Sequence, residues 1–226
     1  MKPIQLDPEH LAPDESPPAH PCADISHYSS DLALLNYLLQ DLRVLVRQAA
    51  AGETELGEYQ TILWDVHGLR RRVVICDPVR ILREGDVQVV GFLGDRRSTR
   101  EAERVDAAEL DVIGEFRQYP GILSYSSVEL VNNQWANLVV HTDPDDREAW
   151  RHSDTHIEAA EELAPIVYNS VRIHNGCIRG GPLGPENVVI ETTKYFDYGV
   201  SPMWHAVRLL PGGATETIGS PWSDLA

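Results

Sequence analysis

Basic residues are scarce in this chain. Nineteen Lys and Arg against 35 Asp and Glu leave a formal net charge of −16. A surface of that sign repels phosphate backbones and anionic headgroups, which sets nucleic acid and membranes aside as main partners. Cysteine is sparse and odd in number, with only Cys22, Cys76 and Cys177. Three irregularly spaced thiols offer neither a disulfide framework nor a CxxC metal pair, so a reduced, cytoplasmic setting and no structural metal are expected. No run approaches the roughly 20 apolar residues that span a bilayer. The first residues lack the basic start and apolar centre of a signal peptide. Gly180-Gly181-x-x-Gly184 has no P-loop lysine and no strand–loop–helix context, which removes a phosphate-loop reading. No Gly-x-Ser-x-Gly elbow and no cysteine nucleophile motif is present either.

What is present is ordinary globular material, 42% hydrophobic and 24% charged over 226 residues. Residues 1–27 carry Pro3, Pro8, Pro13, Pro17, Pro18 and Pro21 with little apolar surface, and read as a disordered arm. Residues 28–86 read as an N-terminal extension. Leu35, Leu38, Leu39, Leu42, Leu45 and Val46 make one apolar stripe of a helix over about 30–50, with Ser30 or Asp31 as its cap and Gly52 past its end. Strands at 59–66 and 72–76 form a hairpin around His67-Gly68.

Residues 87–175 have the clearest plan. Val87–Leu93 is a strand closed by Gly94. Asp106 and Glu109 open a helix as a capping pair, with Leu110, Ile113 and Phe116 on its apolar face. Ile122–Val131 and Trp135–Thr142 are strands joined by Asn132-Asn133, since Asn tolerates a positive φ. Asp143-Pro144 begins a second helical region, broken near Ser153 and turned inward by Ile157, Ala160 and Leu163. Val171–His174 is the last strand of the unit. Strand, helix, hairpin, helix, strand is the split β-α-β order, an α+β arrangement. Residues 176–226 add strands at 188–196 and 203–210 and a loose tail.

The stretch Asn137-Leu138-Val139-Val140-His141, then Asp143-Pro144-Asp145, then Ala149-Trp150-Arg151-His152-Ser153-Asp154-Thr155-His156 resembles the antibiotic-biosynthesis-monooxygenase group of dimeric α+β barrels. The resemblance covers 87–175 alone. It implies a ferredoxin-like unit whose second sheet face is covered by a partner, hence a homodimer; the rival is that the extra N- and C-terminal elements cover this face within one chain. It also implies an oxidoreductase, monooxygenase-like or cyclase activity on an apolar or aromatic small molecule, with haem as one candidate cofactor. The rival within the same fold is a protein that binds a ligand or haem without turnover.

Six residues stand out as site candidates. His156 on the second helix is the first, as general base or, in a haem-binding member, as iron ligand. His152, four residues before it, could share a metal with it only on an unbroken helix. Asn137 can donate to an oxyanion. Arg172 and His174, at the end of the last strand, can reach a cavity mouth. Tyr125 and Trp135 can line a flat pocket, although such aromatics are more often core. Asp65 and His67 read first as turn residues.

Overall fold

The computed structural model describes residues 7–66, 68–83, 85–98, 102–130 and 132–214; His67 therefore lies outside the described residues. The order is β1 (Glu9–Leu11), α1 (His27–Ala50), β2 (Gln60–Val66), β3 (Leu69–Ile75), α2 (Pro78–Ile81), β4 (Val87–Arg96), α3 (Ala102–Glu115), β5 (Ile122–Glu129), β6 (Gln134–His141), α4 (Pro144–Arg151), α5 (Asp154–Glu158), a π turn (Ala159–Leu163), α6 (Ala164–Val167), β7 (Tyr168–Ile178), β8 (Val189–Asp197) and β9 (Trp204–Ala214). The fold is α+β. The nine strands form one continuous sheet in the order β1-β9-β8-β7-β4-β6-β5-β3-β2. Its middle, β7-β4-β6-β5, with α3 and α4–α6 as the two connections, is the ferredoxin-like unit expected over 87–175. The N-terminal hairpin extends it beside β5 and the C-terminal strands extend it beside β7. Among the described residues no helix is long and apolar enough to cross a membrane.

Period-two alternation sorts the strands onto two faces. Val87, Val89 and Leu93 of β4, Ala136, Leu138 and Val140 of β6, and Val73 and Ile75 of β3 turn to one face and join the leucines of α1 in the largest core cluster. Tyr125, Val139, Phe116 and Trp150 form a second cluster, and Val105, Trp135, Val167, Tyr168 and Val171 a third, both on the opposite face under α3 and α4–α6. The sheet is thus enclosed on both sides within one chain. A helix lies where a second subunit was expected, and the ground for a homodimer through this face falls away.

Helix α1 fits because its stripe and the sheet match in shape. Leu32, Leu35, Leu38, Leu39, Leu42 and Val46 are all buried, each contributing about 1.5–3 kcal/mol of burial. Gly91 of β4 permits the approach, since a Cβ there would stand 2.6 Å from the methyls of Leu35. The helix begins at His27, before the expected caps. Asp31 lies inside it and buried, engaged with the sheet rather than with its own backbone.

Other expectations shift in the same way. Asp106 and Glu109 do not cap α3, which already starts at Ala102. Asp106 meets Arg70, Glu109 points into the core, and Leu110 is 58% exposed. In the second helical region Ala160 is exposed rather than inward. Strand β7 runs through Asn175-Gly176 to Ile178, because Gly176 forms a bulge against β8, where any Cβ would collide with the Val189 carbonyl. The hairpin turn behaves as read: Asn133 takes φ 63°. Ser153 breaks the helix and accepts a hydrogen bond from the His156 backbone N–H, capping α5.

The proline-rich arm is docked over 7–27. β1 pairs in parallel with β9, and Leu11, Cys22 and Ala23 are buried. Arg208, fully buried on β9, donates to the carbonyls of Ala12, Glu15 and Ala23. Prolines satisfy such an arm well, because the missing donors leave no amide unpaired while the carbonyls serve the arginine. Deleting residues 1–24 removes these three acceptors, opens Arg208 to water and takes away the burial of Leu11, Cys22 and Ala23. The expected loss, from one leucine-sized burial and the net worth of the hydrogen bonds, is about 3 kcal/mol or more, a fall in melting temperature of at least about 6 °C for a chain of this size. A thermal melt of the truncated chain within 2 °C of the full one would show that these contacts carry no weight.

Candidate functional site

The two faces hold different polar networks, and the six candidate residues divide between them. Arg172 and His174 of β7 turn toward α1. Arg172 donates through Nε and Nη2 to Asp31 at 2.6 and 2.8 Å, and His174 Nε2 lies 2.9 Å from Asp31 Oδ2. A carboxylate only accepts, which fixes Nε2 as the donor. The chain continues from His174 Nδ1, 2.8 Å from the Thr193 hydroxyl, through Tyr28, which donates to Thr193, and Tyr195, to which Arg208 donates. Burial alone would raise the Asp31 carboxyl. The hydrogen bond from His174 and the charge of Arg172 override it and hold the group at about 2. These side chains are saturated by one another, and they fasten α1 to β7, β8 and β9. The slot beside Arg172 has room for about 10 Å³.

Asn137, Tyr125, Trp135 and His156 lie on the other face. Register places Lys194, Ile173, Phe92, Asn137, Ser127 and Arg72 in a single row across β8, β7, β4, β6, β5 and β3. The next row contains Thr192, Asn175, Val90, Val139, Tyr125 and Val74. Toward β5 these rows are closed by α3. Glu109 of α3 is buried there, accepting from the Tyr125 phenol at 2.8 Å and from Ser127 at 2.5 Å, with Arg72 as its ion-pair partner. Burial pushes the Tyr125 phenol up, with Ser127, Arg72 and Asn137 opposing, so the phenol keeps its proton at neutral pH. Toward β8 the rows are less well covered: Val90, Phe92, Ile173, Asn175, Thr192 and Lys194 are all half-buried. Asn137, itself half-buried, stands between the apolar strip and the Glu109 cluster. Trp135 is a wall residue, 4% exposed and packed with Val105, Val167 and Tyr168.

His156 sits at the far end of this face. Its ring meets Trp150 edge-on at 4.7 Å, and burial, then the charge of Arg151, lowers its pKa. Trp150 in turn lies 5.8 Å from the ring of His141, which is fully buried and has no hydrogen-bond partner on either nitrogen among the described residues. Burial, reinforced by Arg147, pulls His141 down to about 3, so it is neutral at pH 7. His152 points to water and pairs with Glu148 at 3.0 Å. The break at Ser153 takes it off the His156 face, and no group of three metal-ligating side chains exists among the described residues.

The surroundings of His156, the haem-ligand candidate, are aromatic: its ring meets Trp150, which packs against Phe116. Burial raises all three cysteine thiols, Cys22 to about 11 and Cys76 to about 12, with Glu191 adding to the rise at Cys177, which makes none of them a ready nucleophile. Asp65 serves the turn, accepting from Gly68 N–H. A groove of about 410 Å³ at the β1–β9 edge, between Glu9, His20, Met203 and Trp204, holds none of the candidates.

Glu109 stood in the sequence only as half of a capping pair, and Arg72 and His141 carried no signal of a buried polar role. Only the helical spacing of Glu109 with Val105, Val112 and Phe116 hinted that it faces inward.

No protein-family model matches the chain, and no curated protein does. Two solved structures are similar to it in part. A Shewanella oneidensis protein aligns at a TM-score of 0.38 and 12% identity over 42% of this chain and 92% of its own. An aldoxime dehydratase aligns at a TM-score of 0.31 and 13% identity, covering 49% of this chain and only 31% of that one. Likenesses of this size carry nothing about activity.

His141 makes the stability of the protein pH-dependent. Its folded pKa is depressed, so the unfolded chain binds the proton more readily, and stability falls as pH drops below the unfolded value near 6.5. Asp31 acts only lower, between about 3.8 and 2. Replacing His141 with Phe is expected to flatten the loss of stability between pH 6.5 and 4, read from urea unfolding midpoints. An unchanged pH slope in the variant would contradict a buried neutral imidazole.

Proposed function

We propose that the chain is a small-molecule enzyme, monooxygenase-like or a cyclase, that binds a flat apolar substrate on the strip of Val90, Phe92 and Ile173. One observation carries this reading. A buried carboxylate, Glu109, is held by two hydroxyls and an arginine at the end of a row of side chains that becomes apolar and half-open one residue beyond Asn137. Burying an ion pair with its hydroxyls is costly relative to an apolar core of the same volume, and buried titratable clusters of this kind are candidates for acid–base sites.

The chemistry follows from the order of the groups. A substrate hydroxyl or enolisable C–H placed over Asn137 gives its proton to the Tyr125 oxygen as Tyr125 passes its own to Glu109. The developing oxyanion takes the Asn137 amide as donor. Arg72 balances the carboxylate before transfer. An enolate formed in this way is the common starting point of attack on dioxygen and of ring closure onto a carbonyl, the two activities implied by the resemblance. His156, behind Trp150, would take part only by fixing the wall.

Trp fluorescence titration with 2-naphthol, with oxygen uptake followed in parallel, tests this. Asn137→Ala is expected to weaken binding. Glu109→Gln is expected to keep binding while lowering turnover about 100-fold or more. Binding without turnover in the unaltered protein would favour a non-catalytic ligand-binding role, and no binding of naphthols would remove the site.

A further inference from the structure

The two edges of the sheet are finished differently. At one edge β1 is three residues long, with Pro8 just before it and Pro13 two places after it. A short strand that starts on Glu9 and is flanked by prolines offers little for another strand to join. At the other edge β2 runs for seven residues, and among the described residues it pairs with β3 alone. It has no proline, no lysine and no break in register, and Asp65 is its one charged residue. Alternate residues of such a strand direct their backbone N–H and C=O groups outward, where no strand lies beside them. Its side chains do not guard the edge either. Thr61, Leu63 and Asp65 lie on the α3 side and are exposed, Leu63 by 58%. Ile62 and Trp64 lie on the α1 side and are half-buried, Trp64 against the leucine cluster.

The first and last strands of the chain, β1 and β9, both stand at the far edge, at least seven strand spacings from β2, about 34 Å at the usual spacing. The open strand is instead complementary to itself. Leu63 is the middle of its seven residues. A two-fold axis through Leu63, perpendicular to the sheet, therefore pairs the whole strand with an antiparallel copy and keeps each face matched, α1 side with α1 side. In that register Leu63 faces Leu63 of the second copy, Ile62 faces Trp64 and Thr61 faces Asp65. A β-branched side chain opposite an aromatic one, and a hydroxyl opposite a carboxylate, are favourable cross-strand pairs, and no like charges meet. Moving the axis to Trp64 sets Asp65 against Leu63 and leaves Gln60 and Thr61 outside the pairing. The arginines of β3 do not disturb the contact, since Arg70, Arg71 and Arg72 are paired within the chain with Asp106, Asp41 and Glu109. We propose that β2 is the contact of a homodimer in which two sheets join edge to edge. The contact is isologous and closes at two copies. It differs from a dimer through the sheet face, which α1 covers, and it is independent of the strip of Val90, Phe92 and Ile173.

Analytical ultracentrifugation of the full chain from about 1 to 100 μM, a range that populates contacts of modest area, is expected to give the mass of two chains at the upper end. Leu63→Lys sets two ammonium groups against each other on the axis, and Leu63→Asp sets two carboxylates there. Each variant is expected to be monomeric throughout, a weakening of about 100-fold or more from like charges in contact. Mixed in equal amounts, the two variants are expected to regain a dimer of one copy of each, because opposite charges then meet on the axis. Leu209→Lys, at a leucine of β9 that is equally exposed, is expected to leave the dimer unchanged. Circular dichroism confirms that each variant folds, and Leu63 is exposed enough for its replacement to leave the core intact. A monomer in the unaltered protein at the highest concentration, a dimer that survives Leu63→Lys, a mixture that stays monomeric, or growth beyond two copies would each overturn the proposal.

Discussion

A nine-stranded sheet must hide the apolar side chains of both faces, and the structure depends on how α1 covers one of them. The helix is long, 24 residues, and its leucine stripe is complementary to alternate residues of β3, β4, β5 and β6. Gly91 removes the one side chain that would hold it off. Asp31 then locks its orientation, because Arg172 and His174 can both be satisfied only when that carboxylate reaches β7. Removing the aspartate would leave two buried donors, one of them charged, without an acceptor.

With α1 in place, the opposite face is free to be incompletely covered. Helices α3 and α4–α6 close it over β5 and β6, where Glu109 and Trp150 descend, and leave it half-covered over β4, β7 and β8. The π turn at 159–163 belongs to this less regular side. A π turn widens the helix by one residue and is common beside functional surfaces. The two faces thus divide the work: one holds the fold together with a saturated network, and the other keeps polar groups in contact with an apolar strip.

The arm shows the same economy in small. Its prolines could not form a helix, and they do not need to. Backbone carbonyls at Ala12, Glu15 and Ala23 converge on Arg208, the terminal donor of the chain of hydroxyls that ends at Asp31. The N-terminal segment, β9, β8, β7 and α1 are coupled through one line of hydrogen bonds.

By itself the sequence determined the order of elements in the central unit, the leucine stripe of α1, the Asn133 turn and the break at Ser153. Each is a local preference: period, φ tolerance or capping. It also placed Asn137 among the candidates, as a polar residue in an apolar strand, and Tyr125, as an aromatic that can line a flat pocket. It did not determine which face each candidate serves. Arg172 and Asn137 look alike in sequence, yet the register of β4 with its two neighbours sends them to opposite sides, Asn137 opposite Phe92 and Arg172 opposite Leu93. Glu109 read as a cap and Asp31 as another, since an acidic residue near a helix start is ordinarily one. Only tertiary structure, by bringing Tyr125, Ser127 and Arg72 to the first and Arg172 and His174 to the second, made them buried partners. The helix partner of the sheet's second face was equally undecided, because any sufficiently long apolar stripe, from this chain or another copy, satisfies the same hydrophobic demand. Gly91 and the Asp31 network chose the one within the chain.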